Sequence, residues 1–175
     1  MLKSRIRCLK KKENAQGMVE FALILPVLLL VMFGIIEIGR LLVIYSSVGT
    51  ASREGARYAS AVGVSGNSVL YYMDCAGIRA SAQRMGILVG MQDSDILISY
   101  DEGPNPDPSL NPVVISSTCP PTNDFDVELG DRVVVEVSAQ YQPLMPLVNM
   151  PAFPITSRTA RSILRDVSIE APISP

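Results

Sequence analysis

Histidine is missing from all 175 residues, and that absence removes more chemistry than any other. Without an imidazole there is no Ser-His-Asp or Cys-His device and no His-ligated zinc site, because the commonest general base and metal ligand is gone. Tryptophan is absent as well and aromatics make up only 6%, so the 48% of apolar residues is mostly aliphatic. Lysine stops early, all four standing in the first twelve residues. From Arg40 onward nine arginines face fourteen acidic residues, a net of −5, although the whole chain carries only −2. An acidic exterior argues against nucleic acid as a partner, since phosphate neutralisation needs a basic face. There are no internal repeats and no Gly-rich phosphate cradle. The acids of DEGPNPDPSLNP (101–112) lack the D-x-[DN]-x-[DN]-G spacing of a calcium loop and read as a solvated, proline-rich loop. No catalytic, cofactor-binding or metal residue is expected, no cofactor, and no enzyme.

Charge is also absent, this time locally, from the sixteen residues Phe21–Ile36, FALILPVLLLVMFGII, bracketed by Glu20 and Glu37. A helix taking in Gln16 to Gly39 is long enough to cross a hydrocarbon layer of ~30 Å. Upstream, MLKSRIRCLKKK holds six basic residues and no acid before Glu13, which predicts a cytoplasmic N-terminus and an exported remainder. A cleaved secretory signal fits less well, because Glu37-Ile38-Gly39-Arg40 follows with no small-x-small site. A soluble core helix fits less well too, because the run is apolar around its whole circumference. Glu20 is the odd residue, since a carboxylate at mid-bilayer costs about 2.5–3.5 kcal/mol. It either marks the cytoplasmic rim or meets a positive charge on a neighbouring subunit once the helix leaves the lipid; periodicity leaves both open.

Three segments in order, ENAQGMVEFALILP, GIIEIGRLL and ASREGARYA, resemble the TadE-like proteins. These are pseudopilins or minor pilins of the tight-adherence (Flp/Tad) pilus, a branch of the type IV pilin superfamily. The resemblance is close over 13–62 and loose elsewhere. It implies a basic leader removed by an aspartic prepilin peptidase, with Glu at the fifth mature position. That places the cut between Ala15 and Gln16, with Ala where the family usually has Gly; a cut after Gly17 would leave Glu20 third. The resemblance further implies that Glu20 pairs with the freed α-amino group, of its own or an adjacent subunit, and so sets axial register. The implied partners are the membrane, the prepilin peptidase, the major Flp pilin and other minor pilins, and the inner-membrane platform of the pilus. The implied location is the cytoplasmic membrane, single-pass, or the extracellular pilus. REGARYA is the family's most recognisable segment. Its Arg53, Glu54, Gly55, Arg57 and Tyr58 read as a helix-packing face with a charged edge, not as a reaction centre.

The expected division is a leader at 1–15, a transmembrane helix at 16–40, its extracytoplasmic extension at 41–66 and a small α+β domain at 67–175. The first helix is expected to run from Gln16 to Val62, about 47 residues or ~70 Å, with a kink or loosened turn between Ala22 and Pro26. Ser52, Ala56, Ala59 and Gly63 form a stripe that lets another helix approach closely. Gly66-Asn67 should break the helix, and Ser68 should cap a second one reaching Leu88, with Val69, Met73, Ala76, Ala80 and Ile87 inward and Gly90 as a stop. Period-two patterning predicts strands at Asp95–Tyr100, Asp131–Tyr141 and Ile155–Arg165, and a short edge strand at Val113–Ser117. The four prolines of QPLMPLVNMPAFP make it a connection whose bare apolar residues face a membrane or a partner. Cys8 falls in the leader. Cys75 and Cys119 both fall in the exported part, where a disulfide closing about 45 residues is worth ~3–4 kcal/mol; two unpaired core cysteines are the alternative. The fold class is α+β: a long N-terminal transmembrane helix extending outside the membrane, a second helix and a small antiparallel sheet, pilin-like. The function this supports is a structural minor pilin or pseudopilin. The alternative is a permanently anchored single-pass envelope protein with a partner-binding outer domain.

Overall fold

Valines at 133, 134, 135 and 137 give one segment high strand propensity and two greasy faces, and it becomes the centre of a sheet. The computed structural model describes residues 2–105, 107, 109–121, 127–128, 130–144 and 151–164, with side chains from 16 onward. The leader's side chains, the end of the CPPTND loop, the middle of the QPLMPLVNMPAFP connection, Arg165 and the tail from Glu170 lie outside these residues. The chain divides into two compact units, Met1–Leu42 and Val43–Pro175. Helix α1, Leu2–Ala59, supplies the first unit and the opening segment of the second.

In the first unit α1 runs unbroken through Pro26, although the missing proline N–H leaves the Ala22 carbonyl without its usual helical partner. Every side chain from Gln16 to Ile36 is exposed. Gln16–Ala59 is the one helix among the described residues long and apolar enough to cross a membrane, with a mean hydropathy of 2.7 over its most apolar window.

The second unit is α+β. After α1 come α2 (Cys75–Met85) and the strands β1 (Ile96–Asp101), β2 (Val114–Ser116), β3 (Arg132–Tyr141) and β4 (Phe153–Ser162). They form one antiparallel sheet in the order β2-β1-β3-β4. Ile98 lies opposite Val135, which lies opposite Thr159, so these side chains share the face covered by the helices. Ile96, Ile98, Tyr100, Val133, Val135 and Val137 are buried there, together with Ile78 and Ala82 of α2 and Val48, Ala51 and Ala56 of α1. β4 begins inside the proline-rich connection, taking in Phe153 and Pro154; an edge strand has one unpaired side and tolerates proline.

Three expectations are corrected. α1 stops at Ala59 rather than Val62, because Gly63 adopts a left-handed conformation (φ +98°) and turns the chain into a narrow bridge between Val64 and Leu70. Ser68 is no cap. It sits at φ +59° in the turn closed by its own N–H to the Ser65 carbonyl at 3.0 Å. The cap of α2 is Asp74, whose carboxylate accepts the Gly77 N–H at 3.0 Å, and the helix is eleven residues long. A later start changes its phase, so the inward side chains are Ile78, Ser81 and Ala82, while Val69, Ala76, Ala80 and Ile87 are exposed.

Candidate anchoring and packing site

Glu20 stands near the start of the charge-free run. On the α1 surface it is one turn from Gln16, whose side-chain amide donates to its Oε1 at 3.3 Å; both side chains are exposed. The Ala15–Gln16 peptide bond, the expected cut, lies within the α1 backbone.

The REGARYA segment lies in the second unit and splits between two surfaces. Gly55 is buried, and a Cβ built on it would stand 3.1 Å from Val135 Cγ1 and 3.4 Å from the Ala82 Cβ. A larger residue here would hold α1 away from both the sheet and α2. Ser52, fully buried one turn earlier, shares hydrogen bonds with the Ser157 hydroxyl at 2.9 Å and the Thr159 hydroxyl at 3.0 Å on β4. The stripe of small residues is therefore filled from within the chain, by α2 and by the sheet. Gly63 lies beyond the helix and is not part of it.

The charged edge faces out. Glu54 receives a two-point pair from Arg57, and this guanidinium, more than burial, holds the carboxyl below the usual range. Such an exposed i,i+3 pair adds little to stability. Arg53 lines a groove of about 300 Å³ with Tyr45, Thr50 and the β4 residues Ile155–Ser157. Tyr58 turns inward. Its hydroxyl donates to Asp74 Oδ2 at 2.8 Å, and its ring meets Tyr71 edge-on at 5.1 Å. Burial first, then the bond to Asp74, pushes the Tyr58 hydroxyl pKa up.

Cys75 and Cys119 are joined by a disulfide that ties the start of α2 to the segment after β2. The Tyr100 hydroxyl, itself fully buried and raised in pKa chiefly by that burial, reaches the Tyr72 carbonyl at 2.6 Å beside the same bond. Two groups escaped the sequence reading. Asp74 is one, and its only signal is an acid three residues before Gly77. The other is Asp101, expected among the solvated acids of the 101–112 loop but found closing β1 as a fully buried carboxylate that takes a bidentate pair from Arg132 at 2.7 and 2.9 Å, with Arg158 at 3.6 Å. Among the described residues no group of three or more Cys, Asp or Glu is placed to hold a metal ion.

The family model described as TadE-like protein matches residues 15–57. That segment is TadE-like. It begins at the expected cut, covers the charge-free run and ends at Arg57. The TadE-like match supports association with a Tad pilus in general, and the apolar helix fits a single-pass membrane protein. No curated protein and no solved structure is detectably similar to the chain.

Proposed function

We propose that this protein is a minor pilin or pseudopilin that takes part in assembling a tight-adherence pilus used for surface attachment. The observation that carries the reading is the TadE-like match laid over a helix whose apolar residues are all exposed from Phe21 to Ile36. Such a surface needs lipid or other helices around it. Bilayer storage followed by extraction into a bundle of like helices supplies both. The prepilin peptidase cuts between Ala15 and Gln16, Glu20 fixes the axial register against a freed α-amine, and the outer unit stays on the extracytoplasmic side. The major Flp pilin, other minor pilins and the inner-membrane platform are its partners, and it is not an enzyme.

Mass spectrometry of the mature protein tests this. A chain starting at Gln16, and only in cells with an active prepilin peptidase, supports the pilin reading. An intact Met1 in the mature protein rejects it and favours a permanent single-pass anchor.

A further inference from the structure

Several chain segments meet at one end of the second unit. α1 enters there at Val43, and Tyr45 lines the groove it shares with Ile155. Ile155 is opposite Ala139, close to where β3 leaves the sheet at Tyr141 and β4 enters at Phe153. β1 starts at this end too, with Ile96 opposite Val137. Gln83, in the last turn of α2, donates to Asp93 just ahead of β1 at 2.6 Å. The tight turn Ile87–Val89 follows directly on α2 and so belongs to the same end.

This end shows large apolar side chains to the outside. Leu88 is 83% exposed, Ile87 74% and Tyr45 67%, and Met85 and Phe153 are exposed as well. Single exposed leucines are ordinary, but a cluster of this kind marks a surface that is covered in use. Two carboxylates stand nearby, Asp93 accepting from Gln83 and Asp95 accepting the Gln92 N–H at 2.9 Å. At the opposite end of the sheet, around Asp101 and Arg132, the exposed apolar residues Leu110, Val113 and Val114 share the surface with Glu102, Asp107 and Glu128.

The chain itself names the cover. Leu41–Ile44 extends the apolar sequence beyond Arg40, and Tyr45 closes it, in the position where aromatic rings collect at membrane–water boundaries. We propose that this end of the second unit, led by Ile87 and Leu88 and flanked by Tyr45 and Phe153, inserts into the outer interfacial layer of the bilayer that holds α1. Apolar turns buried a few ångströms into that layer hold the unit down on the membrane before assembly. The proposal rests on the anchored reading above, and its test separates the two.

The chain has no tryptophan, so a single substitution gives a sole fluorophore. Full-length L88W, V31W and L110W proteins are reconstituted in phosphatidylcholine vesicles with plain or brominated acyl chains, bromine quenching only what touches lipid. The expected result is about twofold weaker emission in brominated vesicles for L88W, stronger quenching for V31W in the span, and none for L110W in the loop at the far end. If L88W behaves like L110W while V31W is quenched, the proposal fails and the anchor stands. Blue-shifted but unquenched L88W emission means burial against a second copy, which also overturns it. An unquenched V31W overturns the anchored reading and the proposal together. I87W replaces L88W in the same comparison should that variant fail to fold.

Discussion

The Tyr58 hydroxyl and the Gly77 N–H share one carboxylate, Asp74, at 2.8 and 3.0 Å. The tyrosine belongs to the REGARYA segment of α1, and the glycine lies in the first turn of α2. Asp74 is thereby both a helix cap and a strut between two helices. The Gly77 N–H, and to a lesser degree the Tyr58 hydroxyl, hold its carboxyl below the ordinary value against the opposing effect of burial.

Replacing Asp74 should separate the two roles. D74A loses the cap, worth ~1 kcal/mol, and the bond to the half-buried Tyr58 hydroxyl, worth about another 1 kcal/mol. D74N keeps a good capping side chain and should lose less than D74A. The pH dependence has a definite sign. A carboxylate with a depressed folded-state pKa contributes stability that is full above its ordinary value of 3.8 and is lost as pH falls through the lower folded value. The wild type and D74N should therefore converge in thermal stability on acidification below that value. A constant gap down to full protonation would show that charge on Asp74 plays no part. G77A should mimic D74A in the same melts, because a Cβ there would collide with the Tyr58 hydroxyl and stand 2.5 Å from Asp74 Oδ2.

Gly55 of α1 lies against both α2 and β3. An added Cβ at 3.1 Å from Val135 is tight but tolerable, so G55A should fold with a small loss. G55L overpacks the junction and should cost about 1–3 kcal/mol. Urea unfolding in detergent reads the difference. Equal midpoints for G55L and wild type would mean the helix is free to lift off the sheet.

Sequence patterning reached the parts of the fold that rest on periodicity. The alternation at Val133, Val135 and Val137 and at Ile96 and Ile98 repeats every second residue whatever surrounds it, and both strands lie within a residue of their expected starts. The second helix was legible in existence but not in phase. Val69 and Ile87 have helical spacing with Met73 and Ala80, but a helix starts where a side chain satisfies its free N–H groups. That depended on Asp74 being held by Tyr58, sixteen residues earlier in the chain. The Asp101–Arg132 pair was invisible for a similar reason. Nothing local marks a carboxylate at a strand end as buried; only the register of β1 on β3 sets it opposite an arginine. The small-residue stripe of α1 was visible as a close-approach surface, but its neighbours proved to be Ala82, Val135 and the β4 hydroxyls.

Asp101 gives a test of that register. Removing one partner of a buried ion pair leaves an uncompensated charge and costs about 3–5 kcal/mol. D101A should therefore destabilise strongly by leaving the Arg132 guanidinium without its carboxylate. Replacing both partners with apolar residues of similar volume, D101L with R132M, should recover most of the loss, since such exchanges are often neutral. Denaturant midpoints of the single and double variants give the coupling. An additive double variant would mean the pair is solvated in practice.

The disulfide closes 44 residues of chain across α2, β1 and β2. Losing a bond of that span costs about 2–5 kcal/mol, mainly by releasing the unfolded chain. The C75S/C119S protein should show a lower thermal midpoint, and adding reductant to wild type should bring it to the same place. A wild type indifferent to reductant would indicate that β1 and the α2 start are held by packing alone, with Tyr100 and its bond to the Tyr72 carbonyl as the main tie.

Glu20 tests the assembly reading directly. Among the described contacts its partner is Gln16 at 3.3 Å, a neighbour on the same helix and a weak one. That contact explains nothing about why a carboxylate should stand at the start of an apolar run. Pairing with a freed α-amine does explain it, and then the charge matters, not merely the hydrogen bond. E20A and E20Q should both be cut between Ala15 and Gln16 and should both enter the filament at least about tenfold less, since an unpaired buried charge costs roughly 3–5 kcal/mol. Quantitative mass spectrometry of sheared pili against membrane fractions measures this. Full incorporation of E20Q with loss of E20A would reduce the role to hydrogen bonding. Full incorporation of both would leave Glu20 a rim residue and shift register control to the contacts between apolar side chains.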